Sequence, residues 1–175
     1  MSIQVGSPAP DFTAQAVLSN GEFKEVKLSD YKGKWVVLFF YPLDFTFVCP
    51  TEITSFNKHY DDFVKANTEI LGGSIDSVYS HLAWINNGLG KMKFPLFSDI
   101  TKQISRDYGV LLEDKGIALR GTFIIDPDGI LRSAVVNDTN TGRNVNETLR
   151  TLKAMETGEL TPCDWEPGQE TLGKA

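Results

Sequence analysis

The spacing of apolar positions changes several times along the chain. Phe12 to Val17 and Glu22 to Leu28 flank Asn20-Gly21, a dipeptide that favours a tight β-hairpin turn. Trp35 to Tyr41 is apolar throughout, as a central strand covered on both faces would be. Ile53, Phe56, Tyr60 and Phe63 then recur at spacings of three, four and three, which predicts an amphipathic helix running to about Val64. Thr68 to Ile75 reads as a second central strand. Val78, Leu82 and Ile85 predict a helix ending near Asn86-Asn87-Gly88, residue types that suit a C-cap. Gly88-Leu89-Gly90 opens a loop that reaches Pro95, and Ile100, Ile104 and Tyr108 mark a short helix. Thr122 to Ile125 and Ile130 to Val136 flank the turn Asp126-Pro127-Asp128-Gly129 and read as a second hairpin. Val145, Leu149, Leu152 and Met155 stripe a last helix that Gly158 ends.

A hairpin, then alternating strands and helices, then a hairpin and a helix gives an α/β fold. Its sheet is mixed, with helices flanking the strands, and a thioredoxin-like domain fits the order. The expected division is a domain over 1–158 and a C-terminal tail over 159–175. Charge narrows the function. The net charge of −6 argues against a nucleic-acid binder, which needs a basic face. No apolar stretch reaches membrane-span length. The first residues, Met1 to Pro8, lack the basic and apolar regions of a signal peptide, so a cytoplasmic protein is expected.

Chemistry concentrates where the first central strand meets the first long helix. Pro50 suits the first helical position, because its missing N–H would have no helical partner there. Cys49 then lies at the N-cap or in the first turn. Unpaired backbone N–H groups and the positive end of the helix dipole favour an anion at that point, which makes a sulfur there a better nucleophile. Against this stands the ordinary behaviour of free cysteine, which is buried and inert. The other cysteine, Cys163, lies in the tail. A thiol–disulfide reductase would carry Cys-x-x-Cys at this junction, but the fourth position here is Glu52, which excludes a local dithiol. His59 and His81 form no closely spaced ligand set, and both read as surface or helix-packing residues.

The run Phe40-Tyr41-Pro42-Leu43-Asp44-Phe45-Thr46-Phe47-Val48-Cys49-Pro50-Thr51-Glu52 resembles the signature of the peroxiredoxins. In particular it resembles the typical 2-Cys peroxiredoxin group, which includes the peroxidase component of the bacterial alkyl hydroperoxide reductases. Similarity continues through Phe94 to Asp99, Gly116 to Asp126, Gly142-Arg143 and Trp165-Glu166-Pro167-Gly168, and covers nearly the whole chain. The resemblance implies a thiol peroxidase acting on hydrogen peroxide and organic hydroperoxides, with antioxidant and redox-homeostatic roles. In that scheme Cys49 is the peroxidatic cysteine. Thr46 places a hydroxyl against the thiolate and the peroxide; otherwise it makes a local turn bond. Arg120 supplies fixed positive charge, although at a strand start an arginine on the sheet edge is the plainer reading. Pro42 shapes the pocket or simply ends the strand. Glu52 and Arg143 match a polar network that orients the active-site arginine. Cys163 is the resolving cysteine.

Two features depart from the family pattern. Cys163 stands two places closer to Trp165 than is usual, which leaves open whether its disulfide with Cys49 lies between or within subunits. Asn87-Gly88-Leu89-Gly90 replaces a Gly-Gly-Leu-Gly loop, and no Tyr-Phe pair follows Cys163, so resistance to overoxidation is expected. No metal or organic cofactor is implied. The expected partners are a peroxide, thioredoxin or a flavin-containing disulfide reductase, and further copies of the chain as a homodimer or as a decamer of five dimers. A chaperone or redox-relay role would be additional to catalysis.

Overall fold

Asn20-Gly21 closes the expected hairpin: Thr13–Val17 (β1) and Phe23–Lys27 (β2) pair antiparallel from Thr13↔Lys27 to Val17↔Phe23. The structure, a computed structural model, describes residues 3–175. They fall into two units, one ending at Arg143 and one comprising Asn144–Ala175.

The first unit is built on a sheet. After a 3-10 turn at Leu28–Tyr31 the chain forms Trp35–Phe40 (β3), then the helix Cys49–Lys65 (α1) and Thr68–Ser74 (β4). A helix at Val78–Trp84 (α2) leads to Leu96–Ser98 (β5) and to a short helix at Gln103–Asp107 (α3). A small ladder of Leu111–Leu112 (β6) and Ile117–Ala118 (β7) precedes the hairpin of Arg120–Ile125 (β8) and Leu131–Asn137 (β9). Among the described residues the main sheet has seven strands in the order β2-β1-β5-β4-β3-β8-β9. Parallel pairs β3–β4 and β4–β5 sit at its centre, with antiparallel pairs towards both edges.

Alternation along β3 divides the core between the two faces of this sheet. Phe39 points to the α1 side, where it stacks on Phe56 at 4.3 Å between ring centres. Phe40 points to the other side and meets Phe97, Tyr108 and Phe123, in a cluster to which α3 adds Ile104. The dipeptide Gly72-Gly73 in β4 serves both faces. A methyl group on Gly72 would lie 2.5 Å from the Phe39 ring, and one on Gly73 would lie 2.3 Å from the Phe97 ring. Each glycine therefore lets an aromatic ring lie against the strand backbone.

Three details differ from the sequence reading. Val48 is the N-cap of α1, so Cys49 itself takes the first helical position and Pro50 the second. Proline is tolerated at both, because neither N–H would find a helical partner. The helix at α2 does not cap at Asn86-Asn87-Gly88. It passes into a π turn at Ile85–Leu89, which Gly90 ends with a φ of 78°. Strands β5, β6 and β7 are two or three residues long, too short to show a period. Of the two readings of His81, surface or helix packing, the second holds: it is fully buried on α2.

The second unit begins with Val145–Glu156 (α4), whose N-cap Asn144 accepts from Glu147 N at 3.1 Å. Its tail folds back on itself. Leu160 N donates to Gly173 O, and Leu172 N to Leu160 O, both at 2.8 Å. Trp165 is buried, its Nε1 donates to Gln169 O at 3.1 Å, and Arg150 Nη1 donates to Trp165 O at 2.8 Å. Cys163 occupies an exposed turn, with Asp164 at a φ of 59° and Trp165 N bonded to Pro162 O.

Candidate active site

Strand β3 and its antiparallel neighbour β8 create the site between them. Phe39 pairs with Thr122, so the end of β3 lies beside the start of β8. The chain leaves β3 at Tyr41-Pro42, crosses a short loop and enters α1 at Cys49, while β8 begins with Arg120 at the same edge. The Cys49 side chain is fully buried and Arg120 is 3% exposed. Arg120 Nη1 lies 3.4 Å from Cys49 Sγ and also donates to Glu52 Oε2 at 2.7 Å. Its Nε donates to Thr139 O at 2.8 Å, which fixes the plane of the guanidinium. The plain reading of Arg120 as a surface arginine does not hold.

Glu52, one turn into α1, is the hub. Its carboxylate accepts from Arg143 N at 2.9 Å, Arg143 Nε at 3.0 Å and Arg143 Nη2 at 2.8 Å, besides Arg120. A second contact set pins Arg143 to β8, through Nη1 to Gly121 O at 2.8 Å and to Thr122 Oγ1 at 3.3 Å. Its guanidinium lies over the Phe39 ring, 5.1 Å from the ring centre. Burial pulls the Arg143 guanidinium below its ordinary value, and the Glu52 carboxylate opposes that shift. Two buried guanidiniums share one buried carboxylate here. The cluster therefore keeps an excess of positive charge, beside the sulfur.

Thr46 and Pro42 frame the loop. Pro42 is buried, and Thr46 is half-buried with its hydroxyl donating to Leu43 O at 3.0 Å. That is the local turn bond, and it leaves the hydroxyl oxygen free to accept a hydrogen bond. Thus the structure brings Cys49, Glu52, Arg120 and Arg143 together in one bonded cluster. Thr46 and Pro42 lie in the loop that leads to it, and Cys163 belongs to the other unit.

One element of the site has no counterpart in the sequence reading. The loop is held down by Asp44, which is buried. Asp44 Oδ1 accepts from the Tyr41 hydroxyl at 2.8 Å, and Oδ2 accepts from Ser80 Oγ at 2.8 Å. His81 Nδ1 sits 2.8 Å from the same Oδ2, and its Nε2 sits 2.9 Å from Phe97 O. Asp44 N donates to Asp76 Oδ2 at 2.9 Å, and Ser74 Oγ donates to the same atom at 2.6 Å. Burial, with the Asp44 carboxylate behind it, pushes the Tyr41 hydroxyl well above its ordinary value, so it stays a donor. The network lies next to Phe45, a bulky residue at a φ of 56°. Such a conformation costs about 1–3 kcal/mol and persists where its surroundings over-determine it. Partners spread over residues 41, 44, 74, 76, 80, 81 and 97 left no local motif to find.

A family model described as AhpC/TSA family matches residues 5–134. The chain belongs to the AhpC/TSA family. It is 56% identical to Peroxiredoxin-1 of Gallus gallus, over 96% of this chain and 89% of that protein. It is also 56% identical to a putative peroxiredoxin in the rubredoxin operon of Clostridium pasteurianum, over 96% of this chain and 98% of that one. Among solved structures, the reduced 2-Cys peroxiredoxin of Plasmodium vivax superposes with a TM-score of 0.93 at 44% identity, covering 96% of this chain and 92% of that chain. The chain is a peroxiredoxin, a thiol-dependent peroxidase with the thioredoxin-like fold read from its sequence.

Proposed function

We propose that Cys49 carries the peroxidase chemistry and that it acts on hydrogen peroxide and organic hydroperoxides. The observation that carries this reading is the buried sulfur at the first position of α1, 3.4 Å from a guanidinium fixed by two further bonds. In the reaction the thiolate attacks one peroxide oxygen. An S–O bond forms as the O–O bond breaks, and the leaving oxygen takes a proton and departs as water or an alcohol. Arg120 supports the negative charge that grows on the oxygens, the type of stabilisation that counts most in a site closed to water. The Thr46 hydroxyl oxygen accepts from the peroxide, and Pro42 walls the pocket. Glu52 and Arg143 hold Arg120 in place.

Cys163 resolves the sulfenic acid. Its sulfur attacks the oxidised sulfur, a disulfide forms and water leaves. The name of the Plasmodium vivax relative, a 2-Cys peroxiredoxin, supports a two-cysteine cycle. A dithiol reductant, thioredoxin or a flavin-containing disulfide reductase, returns both thiols. A homodimer, further assembled as five dimers, and a cytoplasmic location complete the reading. The division into a 1–158 peroxidase domain and a 159–175 resolving tail belongs to it as well.

The test is intact mass under denaturing, non-reducing conditions after one equivalent of hydrogen peroxide. The expected wild-type product is a covalent dimer or a monomer lacking two hydrogens, and Cys163→Ser should give a sulfenic or further oxidised monomer at Cys49 instead. Identical oxidised monomers from both proteins would remove Cys163 from the cycle. No mass change in either would remove Cys49 as well.

A further inference from the structure

We infer that Phe39 is a positioning residue for the peroxide reaction: its ring, lying in the space left by Gly72, is the platform on which Arg143 is fixed. This rests on the assignment of the chemistry to Cys49, and it extends the machinery one layer inward.

Phe39 and Thr122 are register partners on neighbouring strands, so they share a face of the sheet. Arg143 uses both. It donates to Thr122 Oγ1, and its guanidinium lies over the Phe39 ring. A guanidinium at 5.1 Å from a ring centre is within the range of cation–π attraction, which strengthens when both partners are out of water. Phe39 is fully buried, and Arg143 has a side-chain exposure of 3%.

The ring is itself constrained. Phe56 stacks on it at an interplanar angle of 12°, and Phe94 meets it edge to face at 5.8 Å. Gly72, its register partner on β4, is the third restraint, because an added methyl would overlap the ring atoms at 2.5 and 2.7 Å. Displacing the ring removes the support beneath Arg143. Arg143 in turn makes three of the bonds that orient Glu52, and Glu52 orients Arg120 on the sulfur. A chain of direct contacts therefore runs from Gly72 through Phe39, Arg143, Glu52 and Arg120 to Cys49. Leucine at position 39 would keep the apolar bulk and remove the π face.

The test is the second-order rate of Cys49 oxidation by hydrogen peroxide in single turnover, for wild type, Phe39→Leu, Arg143→Gln and the double variant. Phe39→Leu is expected to slow the reaction about ten-fold. In the Arg143→Gln background the same substitution should change the rate less than about two-fold, because the contact it removes is already gone. A merely structural Phe39 would cost the same factor in both backgrounds, and that result would overturn the inference. Gly72→Ala displaces the ring without altering it and should reproduce the loss. Phe12→Leu, in the aromatic cluster on the opposite face of the sheet, should lower stability and leave the rate unchanged. Equal rate losses for Phe12→Leu and Phe39→Leu would also overturn it. If wild type itself shows no peroxide-dependent loss of the Cys49 thiol, the assignment of Cys49 fails and takes this inference with it. If wild type reacts and Phe39→Leu reacts as fast, the platform alone fails.

Discussion

At the scale of single residues, two buried carboxylates perform different tasks with the same chemistry. Glu52 joins two guanidiniums, one of which lies 3.4 Å from Cys49 Sγ, whereas Asp44 joins a phenol, a serine and a histidine. Asp44 instead offsets the backbone strain at Phe45 and so fixes the loop that delivers Cys49. Asp44→Ala would leave the buried Tyr41 hydroxyl and His81 ring, and the half-buried Ser80 hydroxyl, without this partner, a loss on the order of 3–5 kcal/mol. The expected outcome is a large fall in the urea midpoint. Wild-type stability in that variant would show that the network is decorative. Asp44 stands in the sequence five places before Cys49, among residues that drew attention only for their family likeness. Nothing local marks a lone aspartate as the hub of a network whose other members come from the end of β3, from β4 and the loop after it, and from α2 and β5.

At the scale of elements, the long periodic segments and the short helix α3 were legible, and the two- and three-residue strands were not. Trp35–Phe40 and the stripe on α1 follow their patterns because each buries a continuous apolar surface. The π turn at Ile85–Leu89 carries no such pattern, and three-residue β5 is set by neighbours on both sides. Turns are written more plainly. Asp126 in the β8–β9 hairpin accepts from Asp128 N at 3.0 Å, Ile130 N at 2.9 Å and Arg132 Nε at 2.6 Å. Partial burial pushes its carboxyl up, but the Ile130 N–H and the Arg132 guanidinium outweigh that and hold it below its ordinary value. A carboxyl lowered on folding stabilises the protein above its unfolded value. That contribution disappears as the pH falls through its folded value. Between about pH 6 and about pH 3 the urea midpoint of wild type should therefore drop further than that of Asp126→Asn. Parallel curves would show that the turn contributes no such linkage.

At the scale of the whole molecule, sequence and structure converge on one junction from different directions. The sequence places a cysteine between an apolar strand and a helix start, and the fold adds what proximity in sequence cannot: Arg120, 71 positions away, and Arg143, 91 positions from Glu52. Family resemblance brought those arginines into view. Without it Arg120 reads as a surface residue, because burial of a charge at a strand start depends on partners that the local pattern does not contain. Of the residues named in advance, the structure gathers Cys49, Glu52, Arg120 and Arg143 into one cluster. It gives Thr46 a local bond and places Cys163 in the second unit. The most direct measurement is the single-turnover rate of Cys49 thiol loss with hydrogen peroxide, in wild type and in Arg120→Gln, with the oxidised residue located by peptide mapping. Oxidation should fall on Cys49 first, and Arg120→Gln should slow it about a hundred- to a thousand-fold. Equal rates in the two proteins, or first oxidation at Cys163, would contradict the assignment of the reaction to this buried sulfur and its arginine.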